Sequence, residues 1–330
     1  MRRARWFGGV LGVIALWGCR GAQGPAPFQR ARVLGGLRVT AQALDRGRAV
    51  YTRSCLACHG ASGQGNGPAS SGLDPPPRDF TRGIFKFGAT LPRDGAPTLP
   101  TDADLERVIR GDMHGSATLS WNLSSAELAD VVQYLKTFSP RWRTEVPGAP
   151  LVPGPDPWAG QGARAIAQGR ALYHGLAKCS SCHAAYATRA EITSFVKLYA
   201  PGAAPPSFRA RMFASTPVDA VAFSVDGAHP LRILPPDFLH ARLKSIRARS
   251  ELPDLYRVIA LGIDGAGMPP WRDALTPAQI WAIAHYVRSL IDSQGTPAAR
   301  ELEAELAADA EARRRERASG ADLDGGPEAR

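Results

Sequence analysis

The sequence predicts an all-α fold used twice, and three observations carry that reading. Two segments repeat one another, each with a Gly-x-x-x-Tyr helix ahead of a Cys-x-x-Cys-His motif. Each half closes with a capped amphipathic helix, and a proline-rich stretch separates them. The length of 330 residues suffices for two domains of ordinary size.

The repeat can be followed element by element. Asp45 to Tyr51 (Asp-Arg-Gly-Arg-Ala-Val-Tyr) matches Ala167 to Tyr173 (Ala-Gln-Gly-Arg-Ala-Leu-Tyr). Pro76-Pro77-Arg78-Asp79-Phe80 matches Pro235-Pro236-Asp237-Phe238, and Asp104 to Ile109 matches Asp254 to Ile259. Trp121 with the helix to Phe138 matches Trp271 with the helix to Ile291. Ser124 with Glu127, and Thr276 with Gln279, read as capping boxes, and Pro277 takes the first helical position. Leu128, Val131, Val132 and Leu135 share one helix face, as do Ile280, Ile283, Ala284 and Val287. Gly47 and Gly169, one turn before Tyr51 and Tyr173, are small enough to let two helices cross closely. The one stretch with strand character is Val218 to Ile233, read as a small hairpin.

The ends and joints follow from composition. Arg2, Arg3 and Arg5 precede an apolar run from Phe7 to Trp17, which reads as a signal peptide over 1–18 and is shorter than the roughly 20 residues a bilayer span needs. The run ends Leu16-Trp17-Gly18-Cys19, which resembles a bacterial lipoprotein signal. That resemblance implies lipidation at Cys19, a lipid anchor in the membrane and a place on the periplasmic side of a bacterial membrane. Residues 19–40 read as a tether, 41–140 as the first domain and 141–160, with Pro147, Pro150, Pro153, Pro155 and Pro157, as the linker. Residues 161–295 form the second domain. Residues 296–330 read as a charged tail expected to be disordered, although their Ala, Glu and Arg content also suits a helix at first.

Net charge is +10, carried by arginine more than lysine. Such a surface can steer an acidic partner, or it can simply reflect genome composition. No basic stretch is interleaved with aromatics, so nucleic acid is not an expected partner. The five cysteines divide into Cys55 with Cys58, Cys179 with Cys182, and Cys19, which leaves no pair for a disulfide framework.

Cys55-Leu-Ala-Cys58-His59 and Cys179-Ser-Ser-Cys182-His183 are attachment motifs for c-type haem. Two thiols one turn apart can each add to a haem vinyl group, and the adjacent histidine then lies under the iron. A thioredoxin-like pair does not need that histidine, and a zinc ribbon needs its second pair far closer than Cys179 is to Cys58.

With these motifs in matched repeats, the chain resembles a diheme class I c-type cytochrome over about 41–140 and 160–292. The resemblance implies two tandem class I cytochrome c domains, two covalently bound haem c groups and axial iron ligands at His59 and His183. In that family the sixth ligand is usually a methionine in a Gly-x-Met-Pro-x-Trp type loop. Gly265-Ala-Gly-Met268-Pro-Pro-Trp271 fits it, so Met268 is expected on the second iron. The first domain departs from the pattern, because Thr118 stands three residues before Trp121 where methionine would be. Met113 or His114 then takes the first iron, or that iron is open.

From His59 to Asp79 is 20 positions and from His183 to Asp237 is 54, so the second domain carries an insertion within 184–235. A long loop there would cover part of a cofactor edge or form a partner site. Arg78 or Arg82 suits a haem propionate. Trp121, Trp271, Tyr134 and Tyr286 read as packing, and His174, His229, His240 and His285 as surface or capped residues.

The leading function is a single-electron relay in a membrane-associated respiratory chain, between redox partner proteins such as a dehydrogenase and a terminal oxidase, with no catalysis of its own. A peroxidase-like enzyme or gas-binding protein would use an open first iron. A cytochrome subunit of a dehydrogenase complex would dock through the insertion.

Overall fold

The computed structural model describes residues 26–73, 75–86, 88, 98–110, 121–220, 231–243, 252–263 and 266–319. The expected signal peptide and Cys19 lie outside them. The first half opens with a hairpin, β1 (Arg32–Leu34) and β2 (Leu37–Val39), paired antiparallel with Leu34 opposite Leu37. Then come α1 (Ala41–Ser54), α2 (Leu56–His59), α3 (Asp102–Arg110), α4 (Ser125–Lys136) and α5 (Arg141–Thr144). In the second half α6 (Gly162–Ala171) runs into a π-helical turn over Leu172–Leu176 and a 3₁₀ turn over Cys179–Ser181. It continues through α7 (Arg189–Tyr199), the hairpin β3 (Val218–Ala220) and β4 (Leu231–Ile233), α8 (Leu252–Leu261), α9 (Pro277–Asp292) and α10 (Pro297–Ala318).

Each half is organised by one close helix crossing. A Cβ on Gly47 would lie 2.1 Å from the Asp130 carbonyl oxygen, and one on Gly169 would lie 2.0 Å from that of Ala282. Those distances are far inside van der Waals contact, so only glycine lets α1 meet α4 and α6 meet α9 at this separation. The capping boxes start α4 and α9 as expected, with Ser124 Oγ accepting from the Glu127 N–H and Thr276 Oγ1 from that of Gln279. The apolar faces of α4 and α9 are buried at the crossings, Leu128, Val131 and Leu135 against Val50 and Tyr51, and Ile280, Ile283 and Val287 against Leu172 and Tyr173.

Three expectations about the joints need correction. The tether over 19–40 is structured in its described part: Leu34 and Val39 are buried in the first core, and the Gly35 N–H donates to the Trp142 carbonyl at 2.6 Å. An apolar residue at every second position on so short a pair is too brief a pattern to stand out in sequence. The linker over 141–160, expected to hold no helix, opens with α5 ahead of its first proline and is docked at both ends. Trp142 is 1% exposed in the first core, while the Trp158 indole N–H donates to the Ala278 carbonyl at 2.8 Å and Asp156 meets His285 Nε2 at 2.7 Å. From Pro147 onward proline prevents helix, yet Trp142 before it and Trp158 after it are free to pack. The tail expected to be disordered is helical over Pro297–Ala318. Thr296 caps it, Ala299 and Leu306 are buried, and Asp309 and Glu316 pair with Arg189 of α7 at 3.0 and 2.8 Å.

Candidate haem sites

The two attachment motifs are each a single helical turn delivered by the crossing helix. Cys55 ends α1, its N–H bonded to the Tyr51 carbonyl at 2.8 Å, and the His59 N–H returns to the Cys55 carbonyl at 2.9 Å. In the second half the His183 N–H returns to the Cys179 carbonyl at 3.0 Å. Neither cysteine pair is closed into a disulfide. Burial, with the neighbouring Cys58 adding to it, pushes the Cys55 thiol up to about 11, and burial pushes Cys179 up to about 12. A dithiol redox motif works through a thiolate of depressed pKa, and burial acts in the opposite direction on Cys55 and Cys179.

The histidines are held identically. His59 Nδ1 lies 3.0 Å from the Arg78 carbonyl, and His183 Nδ1 lies 3.0 Å from the Pro236 carbonyl. A carbonyl only accepts, so Nδ1 carries the proton in both rings and Nε2 keeps its lone pair for a metal. Phe80 stacks on His59 at 4.3 Å, and Phe238 on His183 at 4.9 Å. Burial lowers both imidazole pKa values, which favours the neutral ligand form. Each carbonyl precedes an aspartate, and these anchor the loop in different ways. Asp79 Oδ1 accepts from the Thr81 N–H at 2.9 Å, whereas Asp237 Oδ1 accepts from the Tyr186 hydroxyl at 2.9 Å and the Leu239 N–H at 3.0 Å.

Arg78 is pushed down to about 10 by burial and by the neighbouring Arg82 charge. Arg78 lies close enough to His59 to act on its ring, where a guanidinium suits a haem carboxylate. Met268 sits in a loop tied to α8, the Ile263 N–H donating to its carbonyl at 3.1 Å. Met268, Trp271 and Cys179 all pack on the same second core. Met113, His114 and Thr118 lie outside the described residues, as does His229. Trp271 and Tyr286 pack as expected, whereas Trp121 is 36% exposed.

His174 corrects the expectation of a surface or capped histidine. It is 1% exposed, its Nδ1–H donates to the Arg170 carbonyl at 2.8 Å, and its Nε2 accepts from the Tyr186 N–H at 3.1 Å. It lies on the π-helical turn, which absorbs two residues more between Tyr173 and Cys179 than separate Tyr51 from Cys55. That difference in spacing is a readable signal of a helix bulge. The insertion helix α7 packs on this turn: Phe195 stacks on His174 at 6.1 Å, and Glu191 pairs with Arg170 at 2.8 Å. His285 is paired with Asp156, and His240 is exposed beside Glu303. Arg209, also in the insertion, reaches the second attachment motif and was not singled out by any sequence pattern.

A matched pair of thiols and a pinned neutral imidazole, held by the same crossing in each half, define a c-type cytochrome of two tandem domains. The chain belongs to that class. Residues 44–139 match the cytochrome c family, and residues 164–287 match the family of cytochrome c oxidase, cbb3-type, subunit III. Cytochrome c domains carry covalently bound haem c and transfer electrons. Among solved structures, a chain of the Kuenenia stuttgartiensis reducing HAO-like protein complex Kustc0457/Kustc0458 is 27% identical with a TM-score of 0.56, covering 75% of the present chain and 96% of that one. No match was found among curated proteins.

Proposed function

We propose that the chain relays single electrons through two covalently bound haems, one at Cys55 and Cys58 under His59, the other at Cys179 and Cys182 under His183. The observation that carries this reading is the duplicated geometry of Nδ1 pinned to the carbonyl before an aspartate, with phenylalanine stacked on the ring. The haem supplies reversible one-electron exchange at iron. The residues of the chain supply the rest: thiols that fix the group, neutral histidines that ligate it, Met268 as sixth ligand of the second iron, and arginines that face its carboxylates. Ile84 of the first half packs on Ala266, two residues before Met268, with Ile233 and Ile263. This contact brings the first domain to the distal loop of the second and favours transfer within the chain.

The match to a chain from a reducing HAO-like complex favours action as the electron-transfer subunit of a redox partner enzyme rather than as a free catalyst. We place it on the periplasmic side of a bacterial membrane, held by lipid on Cys19, and Cys19→Ala should release it from the membrane fraction. The deciding experiment is the haem content of the purified protein, followed by spectra of the reduced form before and after carbon monoxide. Two haems per chain with an unchanged spectrum support the relay, with Met113 or His114 on the first iron. A shift in about half of the haem would favour a peroxidase-like or gas-binding role at an open first iron.

A further inference from the structure

The carbonyl groups of an attachment turn need donors, and the two halves supply them differently. In the first half they come from the loop directly after His59. The Ala69 N–H donates to the Ala57 carbonyl at 2.8 Å, the Gly67 N–H to that of Cys58 at 3.1 Å and the Gly65 N–H to that of His59 at 2.9 Å. These are neutral amides. The loop needs glycine, since Gly65 has φ +78° and a Cβ there would lie 2.4 Å from the Pro77 carbonyl.

In the second half the residues after His183 are Ala184-Ala185-Tyr186-Ala187, and their amides go elsewhere: that of Ala185 to the Met212 carbonyl at 2.8 Å and that of Tyr186 to His174. The missing donors come from the insertion. Arg209 Nη2 donates to the Ser180 carbonyl at 2.8 Å and the His183 carbonyl at 2.9 Å, while the Thr216 N–H donates to that of Cys182 at 2.8 Å. Arg209 Nη1 holds the Ala214 carbonyl at 3.1 Å and the Thr216 hydroxyl. Its partners are dipoles, and among the described residues no carboxylate pairs with it.

We propose that Arg209 is a positioning residue for the second haem, whose guanidinium clamps the Cys179–His183 turn and sets a positive charge, paired with no carboxylate among the described residues, against the backbone of the histidine ligand. This rests on the reading that both motifs carry haem. Ferric haem has one more positive charge than ferrous, so a nearby fixed cation disfavours the oxidised form. The second haem is therefore held at a higher potential than a neutral glycine loop would give it.

The test is spectroelectrochemical titration of the full-length holoprotein, wild type against Arg209→Gln and Arg209→Lys. A haem count on the wild type comes first, and fewer than two per chain sinks the two-haem reading independently of Arg209. In Arg209→Gln the reduced-to-oxidised ratio of the second haem at fixed ambient potential should fall about tenfold, or about 59 mV for one electron, with the first haem unmoved. Arg209→Lys keeps the charge without the fork and should stay within about threefold of wild type. If only the lysine variant loads the second haem, that same threefold window decides. Potentials unchanged in both variants, both haems moving together, or loss of the second haem from both variants would overturn the proposal. The last result would make Arg209 a folding requirement only.

Discussion

The Tyr173 hydroxyl donates to the Ala184 carbonyl at 2.9 Å, and the Tyr51 hydroxyl donates to the Gly60 carbonyl at 2.7 Å. Each fully buried ring thus ties the crossing helix to the residue directly after the histidine of an attachment motif. Removing the hydroxyl leaves the volume nearly intact and strands a buried acceptor, a loss of about 1–3 kcal/mol. Tyr173→Phe should therefore lower the denaturation midpoint in guanidinium while the haem stays covalently attached. A variant as stable as wild type would mean that the Ala184 carbonyl finds another donor.

His174 makes stability depend on pH. Burial holds its pKa down at about 4, against the opposing pull of the Arg170 carbonyl, compared with an ordinary value of about 6.5. Above about pH 6.5 the ring is neutral in both folded and unfolded chains, and its bond from the Tyr186 N–H is at full strength. Between about 6.5 and 4 the unfolded chain binds the proton and the native one does not. Stability then falls with pH by about 1.4 kcal/mol per unit, on the order of 3 kcal/mol in all. His174→Gln should flatten that slope in denaturation measured from pH 7 to pH 4, and an unaltered slope would assign the acid loss to other groups.

The crossing at Gly169 tolerates no side chain. A methyl group 2.0 Å from the Ala282 carbonyl oxygen and 2.7 Å from Tyr286 Cβ must push α6 from α9, since the obstacle is backbone. Overpacking of this kind costs about 1–3 kcal/mol. Gly169→Ala should unfold the second domain at lower denaturant and leave the first unchanged, as followed by the two haem absorption bands. Gly47→Ala should do the converse.

These crossings, the capping boxes and the cysteine motifs were legible because each is local or exactly repeated along the chain. Gly47 and Gly169 stand at the same offset from their tyrosines, so the repeat itself marked them. The pinning of His59 and His183 was half legible: Asp79 and Asp237 aligned, but the acceptors are the carbonyls before them, and backbone carbonyls leave no residue signature. Trp142 and Trp158 were hidden by the prolines around them, whose local veto on helix says nothing about packing of the side chains. His174 and Arg209 were missed because the contacts that tie them to the second motif and the residues after it, to Tyr186 and to Ser180 and His183, span 12 residues and more. The absence of glycines after His183 was the one available sign that the second turn required donors from elsewhere.

Met268 is placed by backbone rather than by helix packing. Its carbonyl accepts from the Ile263 N–H, Gly262 at φ +70° brings α8 to an end against it, and the Trp271 N–H returns to the Ala260 carbonyl at 3.1 Å. The loop is thus fixed on both sides of the thioether, and a shorter side chain at 268 has no neighbouring methionine on these loop residues to replace it. Thioether ligation favours ferrous iron and raises the potential. Met268→Ala should therefore open the second iron, so that the reduced variant binds about one carbon monoxide per chain more than wild type. Met268→His should restore a closed iron at lower potential. Equal carbon monoxide uptake by wild type and Met268→Ala would remove Met268 from the ligand set.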